Sequence, residues 1–110
     1  MADEQALIVV QTTVDSEQAA EKLAEALLDQ RLAACVQIGA PVTSLYRWKG
    51  KLERAKEWPL LIKTLASRHA QLERALARLH PYEVPEHLVF NVDHASPDYA
   101  RWVVQETLCD

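Results

Sequence analysis

Residues 42–65 read VTSLYRWKGKLERAKEWPLLIKTL, and this stretch decides the fold. From Val42 to Trp48 the pattern is a strand, with Ser44, Tyr46 and Trp48 on one face and Leu45 and Arg47 on the other. Lys49-Gly50-Lys51 is the turn, and Gly50 supplies its permissive backbone. The return strand runs from about Leu52 to Leu65. Its first half, Glu53 to Glu57, is polar; its second, Leu60-Leu61-Ile62, is apolar. Pro59 cannot donate to a ladder and marks a bulge or an edge. The hairpin is long for so short a chain. Its distal arm is too polar for a core, yet it carries Tyr46, Trp48 and Trp58. Exposed aromatics on such an arm call for burial against another chain.

The flanking sequence supplies the rest of one domain, 1–110. Upstream, Gln5 to Thr13 is a short apolar, β-branched run, expected to be a strand buried on both faces. Asp15 or Ser16 offers an N-cap for a helix through Gln30, whose Ala20, Leu23, Ala24, Leu27 and Leu28 recur at helical spacing. A second strand follows at Ala33–Ile38, and Gly39-Ala40-Pro41 bends or interrupts it before Val42. Downstream, Ser67 is expected to cap a second helix ending near His80. The loop His80-Pro81-Tyr82-Glu83-Val84-Pro85-Glu86 is held extended by two prolines. A strand at His87–Asp93 leads to Ser96-Pro97-Asp98, a strong helix start, and a last helix ends near Leu108. The order βαββαβ plus a C-terminal helix predicts an α+β, ferredoxin-like fold.

Composition narrows the function. In 110 residues, 12 Lys and Arg stand against 16 Asp and Glu, a net charge of -4, which disfavours nucleic acid. No apolar run is long enough to span a membrane. The acidic start, Asp3-Glu4, lacks the basic region of a signal peptide, so a cytoplasmic location is expected. Two glycines exclude a glycine-rich phosphate loop. Cys35 and Cys109 form no CxxC pair. Cys35 is expected to pack as a small buried hydrophobe, and Cys109 to be exposed.

No catalytic set emerges, and the chain is not expected to be an enzyme. Ser44 lacks a nucleophile-elbow setting, and Cys35 has no activating neighbour. Of the four histidines, His69, His87 and His94 read as polar surface or helix-end positions. His80, rigidly placed by Pro81 and followed by Glu83, either bonds the last helix carbonyls or serves as a ligand for divalent copper or zinc. Glu57 and Lys63 share a strand face unless Pro59 bulges between them. Lys63 beside an apolar run needs a partner: a carboxylate in an ion pair, or an anionic ligand.

Five segments together resemble the CutA family of divalent-cation tolerance proteins. They are Ala33-Ala34-Cys35-Val36, Ser44 to Gly50, Glu57 with Ile62-Lys63-Thr64, His80 to Glu86, and Tyr99-Ala100-Arg101-Trp102. The resemblance implies a homotrimer in which the long hairpins pair between subunits, with a role in copper tolerance and no organic cofactor. It also implies ligand clefts between subunits, lined by Cys35, Tyr46, Trp48, Glu57, Lys63, His80, Tyr82, Glu83 and Tyr99. These would take a divalent metal ion or a small anionic ligand. Some members carry a Cys on the first strand and a second His before the Pro-Tyr pair, proposed as copper ligands. This chain has Thr12 and Leu79 there, which leaves His80 as the metal candidate.

Overall fold

The structure, a computed structural model, describes residues 5–108. Cys109 therefore lies outside the described residues. The chain runs β1 (Leu7–Val14), α1 (Glu17–Asp29), β2 (Cys35–Ile38), β3 (Val42–Trp48), β4 (Lys51–Leu65), α2 (His69–Leu79), β5 (Leu88–Asn91) and α3 (Pro97–Leu108). The sheet order β2-β4-β1-β5 is antiparallel throughout, and β3 pairs with β4. The split βαβ arrangement expected from the element order is thus present.

The long return strand pairs with three others. Its inner half lies between β1 and β2, with Ile62 opposite Val10 on one side and Val36 on the other. Its outer half pairs with β3 alone, from Val42↔Glu57 to Trp48↔Lys51. The change of neighbour is made at Gly39-Ala40-Pro41, which breaks the expected second strand into β2 and β3. Three residues there stand opposite Trp58 and Pro59, so the extra residue lies on the partner chain segment and not on β4. Pro59 keeps register with Thr13 of β1 and is not at an edge. The Gly39 N–H donates to the Pro59 carbonyl at 2.9 Å. A Cβ on Gly39 would meet Pro59 Cγ at 3.0 Å, so only glycine allows this approach without displacement.

At the tip, Lys49 and Gly50 are the two central residues of a tight hairpin turn, with φ of 50° and 81°. Two positive φ values give the turn the hand that matches strand twist. The arm makes the chain elongated, 45 × 27 × 24 Å, with a radius of gyration of 14.7 Å. A compact domain of this length would have about 13 Å.

Strand alternation sorts the core. Ile8, Val10, Leu60 and Ile62 face α1 and α2, packing on Leu23, Leu27, Leu72 and Leu76. Leu65, of opposite parity, packs with Ala34 and Val103 of α3. Ser16 is the N-cap of α1, its side chain accepting from Ala19 N–H at 3.0 Å. Helix α1 ends in a Schellman motif: Leu32 N–H reaches Leu27 O, and Arg31 takes the left-handed φ of 57°. Ser67 does not cap α2. It falls in a 3₁₀ turn, Ala66–Arg68, and α2 begins without a side-chain cap. The Arg68 guanidinium instead reaches across to cap α3 at the Thr107 carbonyl, from Nε at 2.9 Å and again from Nη2.

Candidate functional site

The proline-held loop returns from α2 toward the outer end of β1, and the sheet residues there receive it. His80 is the hinge. Leaving the helix in extended backbone, it is 8% exposed and its ring is engaged on both sides. Tyr82 N–H donates to Nδ1 at 3.1 Å, which places the ring proton on Nε2. That proton is shared by the Thr13 carbonyl at 2.9 Å and the Thr12 hydroxyl at 3.0 Å. Burial pushes the imidazole below its ordinary value, against the Thr13 bond and the charges of Asp15 and Glu57. In this state His80 presents no free lone pair. It pins the loop to β1, and the Thr12 position is one of its partners.

Tyr82 carries the fixation outward. Its ring lies 4.9 Å from that of His80, and its hydroxyl donates to Glu57 Oε2 at 2.8 Å. The same oxygen accepts from the Thr13 hydroxyl at 3.2 Å. Burial, then the bond to Glu57, push the Tyr82 phenol upward. Glu86 at the loop's end accepts from the Gln11 amide at 3.1 Å.

Above this network lies a groove of about 800 Å³ between loop and arm. It is lined by Ser44, Tyr46 and Trp48 from β3, Glu57 and Thr13 from the sheet, and the loop from Pro81 to Glu86. The common face expected of Ser44, Tyr46 and Trp48 is therefore the groove wall. Three carboxylates, Glu57, Glu83 and Glu86, face it, and no Lys, Arg or His is among its described lining residues. Lys49 meets Glu83 only at the exposed rim, 3.9 Å away.

The expected cleft set divides in two. Tyr46, Trp48, Glu57, Tyr82 and Glu83 share the groove, with His80 behind it. Cys35, Lys63 and Tyr99 stand at the other end of β4, about 20 Å away at strand rise. Lys63 lies opposite Cys35 and donates to Gln37 Oε1 at 2.6 Å, not to Glu57. Cys35 is half-buried, not fully packed as expected. It lies close enough to Tyr99 to help burial push that phenol upward, and the Tyr99 ring lies tilted against that of Trp102, centroids 5.6 Å apart.

A second group was not singled out from sequence. His69, at the start of α2, sits with Glu73 one turn on and with His87 just before β5. Their ligand atoms lie within 4.8 Å of one another. The His69 Nε2 to His87 Nε2 distance is 2.9 Å. The signal was present as His69 and Glu73 at i, i+4 on one helix face, a mixed pair hidden when only histidine pairs are sought.

Residues 8–106 match the family described as CutA1 divalent ion tolerance protein. The chain belongs to this family. Among its relatives, "Divalent-cation tolerance protein CutA" of Thermus thermophilus is 39% identical over 99 residues, 90% of this chain and 96% of that protein. "Protein CutA" of Mus musculus is 40% identical over 95 residues, 86% of this chain. The match covers 54% of the mouse protein, so this chain spans about half its length. The solved structure of the divalent cation tolerance protein from Thermus thermophilus superposes with a TM-score of 0.88 at 39% identity, covering 92% of this chain and 98% of that one. The CutA fold is therefore that of this chain.

Proposed function

We propose that this chain is a divalent-cation tolerance protein, a homotrimer that takes up copper or another divalent ion weakly and reversibly. The acidic groove carries the reading. Carboxylates at Glu57, Glu83 and Glu86, with no Lys, Arg or His among the described lining residues, concentrate positive ions and repel anions. Family membership supplies the same direction, since its relatives are named for tolerance of divalent cations. The trimer answers a need visible in one protomer. Leu45 and Leu52 on the arm, and Leu88, Val89 and Phe90 on β5, are large apolar side chains left exposed.

The test is cellular. A bacterium deleted for its own member of this family, and sensitive to copper or zinc salts, receives this chain. Restored growth supports the reading; unchanged sensitivity at equal expression overturns it. Light scattering should give the mass of three chains. A second reading, a signalling or scaffold trimer with a partner protein in the clefts between subunits, is favoured by Tyr46 and Trp48, which stand exposed on the groove wall. Its small anionic ligand is disfavoured by the groove's charge.

A further inference from the structure

We propose that His69, Glu73 and His87 form a binding site for one divalent first-row metal ion, distinct from the groove and from His80. This localises the cation reading above and rests on it for physiological meaning, though the chemistry stands on geometry alone. Two imidazoles and one carboxylate are a donor set that suits zinc and copper(II), and they leave a position for water. Three separate pieces of backbone bring them together. His69 opens α2, Glu73 follows one turn later on the same face, and His87 arrives from the end of the proline-held loop.

The two histidines are already arranged as ligands. At 2.9 Å between Nε2 atoms, one ring donates and the other accepts, so a single proton occupies the space between two nitrogens. The rings are tilted by 59° with centroids 5.2 Å apart, and both nitrogens point into the shared space. Tetrahedral zinc bonds nitrogen at about 2.0–2.1 Å, which sets its ligand nitrogens about 3.3 Å apart. Exchange of the shared proton for an ion therefore needs a separation of only a few tenths of an ångström. Both residues are half-buried, and Glu73 is exposed and free to swing in. By contrast, both ring nitrogens of His80 are held by protein groups.

Zinc is the probe, titrated by calorimetry at neutral pH into the intact chain and into His69→Gln, His87→Gln and Glu73→Gln. One ion per chain is expected. Loss of either histidine should weaken binding beyond the ~10–100-fold that an outer-shell partner costs. Glu73→Gln, at an exposed position, keeps the fold and should weaken it less. Cobalt(II) substitution should give a visible absorption band that His87→Gln abolishes. Absence of zinc binding to the intact chain, or undiminished binding in both histidine variants, overturns the site. These outcomes are independent of the growth assay: a chain that rescues growth but binds no zinc here refutes the site alone. One that binds zinc here but does not rescue refutes the tolerance reading alone.

Discussion

The Tyr82 hydroxyl donates to Glu57 Oε2 at 2.8 Å, and this bond joins the proline-held loop to the long strand. Glu57 is 8% exposed, so its carboxyl depends on protein donors. Thr13 supplies the other at 3.2 Å. The groove's shape follows from this pair, because Tyr82 sets where the loop stands relative to the β3 wall.

Tyr82→Phe should therefore cost about 1.5–3 kcal/mol, the range for a hydrogen bond to a charged group, and its half-buried setting favours the lower end. Urea denaturation of the two proteins measures it. A difference below about 0.5 kcal/mol would show that Glu57 finds water instead.

Acid should weaken the fold before the carboxyl groups titrate. Folded His80 and His87 both hold their protons less readily than the ordinary 6.5, chiefly through burial. Between the folded and unfolded values the unfolded chain binds more protons. Stability is then full above 6.5 and falls as pH drops below it, at up to about 1.4 kcal/mol per pH unit for each group. Protonation of His80 also sets a new Nδ1–H against the Tyr82 N–H. Denaturation midpoints at pH 7.5 and 5.5 should differ, and His80→Gln should flatten the difference. An unchanged slope in that variant would remove His80 from the account.

Lys49→Asn should stabilise the arm by about 0.5–1 kcal/mol. Lys49 holds a left-handed φ of 50° next to Gly50, where Asn-Gly is the preferred pair. The rim contact with Glu83, lost in the variant, is exposed and of little worth. Thermal unfolding would show a raised midpoint; a lowered one would mean the Lys49 contacts outweigh the turn.

Thr64→Val should leave stability unchanged or raise it by about 1 kcal/mol. The Thr64 hydroxyl is buried and has no hydrogen-bond partner among the described residues. Valine has the same shape and no polar atom to strand. A loss above about 1 kcal/mol in chemical denaturation would contradict this.

Where one physical period dominates, the sequence was a sufficient guide. Alternation over Val42–Trp48 and the Pro97 start of α3 appear as read, the α1 stripe is buried except for Leu28, and the turn closes at Lys49-Gly50, with Lys51 already in β4. What escaped depends on contacts between distant segments. Pro59 cannot donate, but whether it stood at an edge or inside depended on Gly39 coming close enough to use its carbonyl. Ser67 looked like a cap, yet the chain tightened into a 3₁₀ turn there and Arg68 turned to α3. Lys63 and Glu57 share parity, but they stand six positions apart on the strand and Gln37 is nearer. His80 was read for its chemistry, while its burial and its bonds to Thr12, Thr13 and Tyr82 are tertiary facts. His69 and His87 are 18 positions apart, and only the loop's return path makes them neighbours.

The division of β4 implies that one strand has two lifetimes. From Leu60 to Lys63 it is bonded on both sides, and its amides should exchange with deuterium only when the whole domain opens. From Lys51 to Glu57 it has β3 alone, and those amides should exchange through a local opening that leaves the core intact. Contact between chains along the arm would slow that exchange by mass action, so the outer amides should grow more protected as protein concentration rises while the inner ones stay constant. A single strand would thus report both folding and assembly, separated near Pro59.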